Sequence, residues 1–415
     1  MQRILAAASA AALLCAPLLA QPTTPDRLIG LTTGGPVVTP QVSRQQLCQT
    51  PSLVCPTGIA SPSGHAGGAA YNALNASIWV TQGTRMEERR IADCQLICST
   101  PANLTLGAGS VATGLAICES RFQMLQLESV LGNAAVSVRH IRSCPPQVIS
   151  VCSFNLPSPR HLAGAVAVDD RNGRVFYATS VFGGLVSPQN TVLVARLDDP
   201  CNILCRFTVD SCDATTRLGA IVGAAYDACS GALYFTDGTN TTCMREPSPA
   251  TTPCSFRSVR CCPTGGLLTW HGLDIEPAHP RTVGSSCIGR NCPNCPNQAL
   301  VANGDPSVGN PGFSISGENL PAGMIFVLGV SPGRCQVPGL PFSCGRYVLG
   351  PRAIFLPASM VGGMRCDGQV LTSLPIPKDY SLCGLSLCAQ GFVVCRTPIG
   401  NGISVLNALD VTVSG

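Results

Sequence analysis

Short runs of small apolar residues ending on a polar residue punctuate this chain, and one such run recurs five times. The copies read Gly68-Ala69-Ala70-Tyr71-Asn72, Gly114-Leu115-Ala116-Ile117-Cys118, Ala165-Val166-Ala167-Val168-Asp169, Gly223-Ala224-Ala225-Tyr226-Asp227 and Gly272-Leu273-Asp274-Ile275-Glu276. They return at a period of roughly fifty residues, which marks a propeller or solenoid whose units each bury a face against the next. After each run comes a turn and then a branched or aromatic strand, as in Ala232-Leu233-Tyr234-Phe235-Thr236. Small residues let the first strand crowd a central axis, Asn or Asp opens the turn, and bulky residues fill the second strand.

A further pair of strands follows, joined by a corner that carries cysteine. Thr191 to Leu197 alternates as a strand, the corner holds Cys201, and Ile203 to Val209 returns; Cys48, Cys94, Cys144 and Cys254 mark equivalent corners. Four hairpin-linked strands per unit make the blade of a β-propeller. The last copy lacks a cysteine-cornered outer hairpin, whereas the stretch from Leu28 through Cys48 and Cys55 has one with no inner strand before it. Joining the two ends closes a ring of five blades; six is the alternative if each end forms its own sheet.

From about residue 312 the period is lost, and short strands between Pro and Gly turns, such as Met324 to Gly329 and Leu409 to Val413, predict a β-sandwich. The expected class is therefore all-β, a disulfide-rich β-propeller followed by a C-terminal β-sandwich. Its expected divisions are a signal peptide over 1–20, the propeller over 21–290, a Cys/Pro/Asn-rich linker over 291–311 and the sandwich over 312–415.

The leader reading rests on Met1-Gln2-Arg3 followed by an apolar run from Ile4 to Ala20, too short and alanine-rich for a membrane anchor. Removing it takes away Cys15 and leaves an even number of the 25 cysteines in a secreted or periplasmic, cell-surface chain. Near-complete pairing into disulfides is expected. Cys48 with Cys55, and Cys254 with Cys261, can meet across a hairpin. Cys94 with Cys98, and Cys201 with Cys205, cannot bond along one strand, because four steps span about 13 Å; Cys144 and Cys152 complete the set of bridge candidates. Cys287, Cys292 and Cys295 have zinc-like spacing, which an oxidising compartment reassigns to disulfides.

Charge narrows the function. The net charge is only +4, Lys378 is the one lysine, and basic residues cluster only over Arg85 to Arg90. A nucleic-acid partner would need a basic face, and lysine-based covalent catalysis is nearly excluded, because arginine stays protonated and Lys378 stands alone. No Gly-x-Ser-x-Gly elbow, His-Glu-x-x-His helix or phosphate loop occurs. Polar candidates near one end of the inner strands are His65, His161, His271, Asp274 and Glu276, which together could form a channel-mouth site for acid and base work. The paired acids Asp169-Asp170 and Asp198-Asp199 lie in turns, where structural roles dominate.

The blade pattern, ending in Leu233-Tyr234-Phe235-Thr236-Asp237-Gly238, resembles the NHL, YWTD and gluconolactonase-like propellers over about residues 27–290. Gluconolactonase-like relatives would imply a calcium site of one Glu, two Asn and one Asp, a set not matched residue by residue. Leu374-Pro375-Ile376-Pro377-Lys378-Asp379, Leu382 with Gly384, Leu385 and Leu387, then Gln390 and Asn407 resemble a C-terminal module of secreted planctomycete-type bacterial proteins of unknown function. The reading is a non-enzymatic, exported protein without cofactor or metal, whose propeller binds and whose sandwich attaches to polysaccharide or another envelope protein, with no transmembrane segment in the mature chain. The alternative is a lactonase or lyase acting through His65, His161, His271 and Glu276.

Overall fold

A computed structural model describes residues 27–34, 41–46, 52–57, 67–82, 84–181, 189–209, 211, 216–246, 254–263, 268–276, 279–398 and 400–414. The expected leader, Cys48 and His65 lie outside them. Two compact units divide between Pro277 and Ala278.

Within the first unit the strands fall into five antiparallel sheets. The first holds β1 (Arg27–Gly34), β2 (Gln41–Gln46) and β3 (Ser52–Pro56). The second holds β4 (Gly67–Asn72), β5 (Ser77–Gln82), β6 (Arg85–Arg90) and β7 (Leu96–Pro101). β8 (Val111–Cys118), β9 (Gln123–Val130), β10 (Asn133–His140) and β11 (Gln147–Asn155) make the third, and β12 (His161–Asp169), β13 (Arg174–Val181), β14 (Asn190–Arg196) and β15 (Ile203–Thr208) the fourth. The fifth comprises β16 (Gly223–Asp227), β17 (Ala232–Thr236), β18 (Asn240–Arg245) and β19 (Arg257–Pro263). Two short strands, β20 (Leu268–Trp270) and β21 (Asp274–Glu276), then return to the first sheet, where both pair with β1. The first and last strands of this unit thus share a sheet, which removes the open edge a linear array would leave.

The inner turns explain the polar residue that closes three of the five repeats. Asn72, Asp169 and Asp227 accept backbone N–H groups of Leu74, Asn172 and Cys229 at 3.2, 3.0 and 2.9 Å. Gly173 and Gly231 follow with φ of 65° and 68°, a region that glycine enters without strain. Packing then closes the ring. Apolar clusters bridge the first and second sheets (Leu31 with Ile78), the second and third (Trp79 with Leu115), the third and fourth (Leu127 with Tyr177), the fourth and fifth (Phe176 with Phe235), and the fifth and first (Tyr234 with Trp270). Burying a Leu, Val or Phe contributes about 1.5–3 kcal/mol, so a blade alone, lacking a neighbour, loses most of its stabilisation. This is a β-propeller.

Disulfides staple the outer rim. Cys55 joins Cys94, Cys98 joins Cys144, Cys152 joins Cys201 and Cys205 joins Cys254. Each runs from the outer strand of one sheet to the corner of the next. The hairpin pairings of Cys48 with Cys55 and of Cys254 with Cys261 are therefore corrected: the two cysteines of a rim hairpin face opposite neighbours. One exception to the expected pairing is Cys118, an unbridged, buried thiol at the end of β8. It bonds to Asp170 at 3.3 Å, and burial, then the Asp170 charge, push its pKa up to about 12, so it is inert as a nucleophile.

The second unit begins earlier than the sequence suggests. Its strands are β22 (Arg281–Val283), β23 (Ala299–Asn303), β24 (Ser314–Leu320), β25 (Ile325–Pro332), β26 (Leu340–Phe342), β27 (Gly345–Tyr347), β28 (Ile354–Phe355), β29 (Ser359–Met360), β30 (Gly368–Ser373), β31 (Ser386–Thr397) and β32 (Gly400–Thr412). One sheet runs β22-β32-β31-β25-β28, with β29 also on β25, and another runs β23-β24-β30. Leu300 and Ile315 from the second sheet share one buried cluster with Phe326, Val393 and Leu406 from the first. Asn407 clasps them together: its Oδ1 accepts Leu300 N at 2.7 Å and its Nδ2 donates to Leu300 O at 2.9 Å. Residues 291–311 are not a linker, since Cys287, Cys292 and Cys295 bond Cys344, Cys395 and Cys366. Only Cys335 with Cys388 is internal to the expected 312–415 fragment among these bridges. The same bonds use the sulfurs that a zinc cluster would need. Among the described residues no helix is long and apolar enough to cross a membrane.

Candidate functional site

Around the axis the inner strands touch backbone to backbone. A Cβ added at Gly68 would lie 2.4 Å from Leu115 N, at Gly164 2.0 Å from Ile221 O, at Gly223 3.1 Å from Leu273 N, and at Gly272 2.7 Å from Ala69 N. Gly114 in turn lies against Val166, so contact runs all the way round. Five strands at a spacing of about 5 Å enclose an axis with a radius of roughly 4 Å to backbone centres. That leaves water-sized space at this level.

One charge enters the ring. The third position of the repeat is Ala70, Ala116, Ala167 and Ala225 in four copies and Asp274 in the last. Asp274 Oδ2 accepts Tyr71 N of the neighbouring sheet at 2.6 Å, and Oδ1 accepts Ile275 N at 2.8 Å. Burial raises its pKa to about 7 against the opposing pull of those two bonds. A carboxyl whose folded pKa lies above its unfolded value favours folding most when protonated, so its contribution is full below about pH 4 and lost as pH rises through about 7. Thermal melts of wild type and Asp274→Asn should therefore diverge in the variant's favour between pH 4 and pH 7; parallel curves would remove Asp274 from the ring's energetics.

The other channel-mouth candidates are occupied separately. His161 opens β12, is buried, and its Nδ1 meets Ser158 Oγ at 2.7 Å. Between β20 and β21, His271 places Nε2 2.7 Å from Thr33 Oγ1. Burial lowers both pKa values, which favours the neutral rings. Glu276 is buried and forked by Arg44 through Nε and Nη2. Neither His161 nor His271 hydrogen-bonds Glu276, Asp274 or the other, so the described members of the expected acid–base set do not form one network. No group of three metal-ligating side chains occurs among the described residues.

An open groove of about 500 Å³ lies elsewhere, lined by Arg121, Asn172, Gly173, Arg174, Arg196, Asp198 and Leu204. Arg174 is buried and held by Asp169 at 2.7 Å and by Glu246. Arg196 forks exposed Asp198 at 2.8 and 2.9 Å. Arg121 is exposed. Sequence reasoning missed this cluster because its arginines stand far apart along the chain; the near-total preference for Arg over Lys was the one available signal.

No protein-family model and no curated protein matches the chain. Solved structures with some likeness are a nidogen/laminin complex (12% identity, 62% of this chain and 84% of that one, TM-score 0.36), the β-propeller domain of Myceliophteria thermophila Cps50 (Swd1) (8%, 94% and 99%, TM-score 0.34), and the WD40 repeats of RRP9 (11%, 61% and 88%, TM-score 0.34).

Proposed function

We propose that this chain is an exported, non-enzymatic binding protein, with the propeller as platform and the second unit, read as a β-sandwich, as the module that attaches to the envelope, matrix or polysaccharide. The observation that carries the reading is the arginine groove on the propeller. Its two exposed guanidiniums, Arg121 and Arg196, suit planar carboxylates, which arginine binds in bidentate fashion. Arg196 already holds one such group, Asp198, and an acidic ligand would take its place. The preferred ligand class is therefore a carboxylated polysaccharide. A lactonase or lyase is the weaker reading, because His161, His271 and Glu276 are each committed to a separate local partner.

Binding of soluble polygalacturonate, with neutral dextran as control, tests the proposal. A charge-assisted bond contributes about 1.5–3 kcal/mol, so Arg121→Ala combined with Arg196→Ala should weaken binding at least about tenfold with no change in melting temperature. Equal affinity of wild type and double variant, or equal binding to dextran, would overturn it.

A further inference from the structure

Arg139 on β10 is fully buried between the second and third sheets. It stands opposite Met124 in register, and Met124, Ala102, Trp79 and Ile141 belong to the apolar cluster that joins those sheets. Its guanidinium makes one hydrogen bond, from Nη2 to Ala102 O at 2.6 Å. Nε and Nη1 have no partner. Arginine remains charged in proteins, and an isolated buried charge is among the most expensive groups a fold can hold.

Among the described residues no carboxylate pairs with it. Glu128, on the same sheet, is taken by Thr105 N, Thr105 Oγ1 and Leu106 N at 2.7–2.9 Å. Glu87 is paired with Arg89, and Glu88 accepts from Asn72, Asn75 and Ser77. Within the same sheet interface Trp79 Nε1 is a third buried donor without a partner. Against these three donors stand the orphan acceptor Gln126 Oε1, whose amide Nε2 shares Ala102 O at 2.8 Å, and the Thr113 hydroxyl on β8, which can donate as well as accept. Water brings donors and acceptors equally; an excess of donors around a positive charge calls for a species that only accepts.

We propose that the interface between the second and third sheets binds a halide-sized monovalent anion against the Arg139 guanidinium. One negative charge balances one guanidinium, whereas a dianion would leave an excess charge buried. The site is separate from the arginine groove and does not depend on the function proposed above.

Crystals of the full protein grown in sodium bromide should show an anomalous peak within about 3.5 Å of the Arg139 guanidinium. In solution, replacing sodium gluconate by sodium chloride at constant ionic strength should raise the melting temperature by a few degrees per tenfold chloride once the site's Kd is exceeded. Arg139→Met, which keeps much of the volume and removes the charge, should abolish that slope. A bromide map without the peak overturns the proposal even if the variant does not fold. An unchanged chloride slope in a folded Arg139→Met does so as well.

Discussion

Replacing Gly68 with valine is expected to lower the melting temperature of the propeller by about 10 °C, the largest effect of any single substitution considered. The Cβ would sit 2.4 Å from Leu115 N and 2.6 Å from Gly114 C, both backbone atoms of the next sheet, so no side chain can rotate away to admit it. Overpacking that must be relieved by backbone movement costs up to roughly 3 kcal/mol, and each kcal/mol moves the midpoint of a domain the size of the propeller by about 2–4 °C. Displacing β8 also disturbs its packing on the fourth sheet, which spreads the penalty round the ring. Gly362→Ala is the control, since a Cβ there meets nothing within 4 Å. Calorimetry on both variants decides: a Gly68→Val midpoint within 2 °C of wild type would mean the inner strands are not in backbone contact.

The second large effect concerns the rim. Each bridge from the third to the fourth and the fourth to the fifth sheet closes a separation of 49 residues, for which chain entropy predicts roughly 4 kcal/mol. Converting Cys152 and Cys201 together to serine should therefore lower the midpoint by about 10 °C. The mapped bridges follow one rule, outer strand to next corner, and Cys261, on the outer strand of the fifth sheet, is disulfide-bonded. Applied to the sequence, the rule assigns Cys48 as its partner. Peptide mapping of the unreduced protein should find that pair with the four others; recovery of Cys254 bonded to Cys261 would falsify the rule.

Much of the propeller was legible because its signal is periodic. The Gly-to-Asp strand announces itself five times, and the missing pieces at the two ends of the array are complementary, which is enough to expect that β1 joins β20 and β21. Disulfide partners were less legible, since spacing constrains what one strand can reach but not which neighbour it faces. The second unit's start was obscured for the same reason: Cys287, Cys292 and Cys295 read as a loop-rich staple until their partners are known. Candidate chemistry was the least legible. His161, His271 and Glu276 occur at comparable repeat positions, yet each finds a local partner, and only Asp274 departs from its alanine counterparts in a way that burial makes consequential. Arg139 carries no motif at all; its significance lies in two guanidinium nitrogens left without a partner, which only the packed sheets reveal.

The rim bridges also change what a broken peptide bond means for this molecule. Residues 55–94, 98–144, 152–201 and 205–254 each form a covalently closed circuit. A protease that cuts once inside any of them produces two new termini but no separate fragment, and the severed strands stay within reach of their partners. Damage is confined to the circuit where it occurs. That arrangement converts cleavage from a terminal event into a local defect.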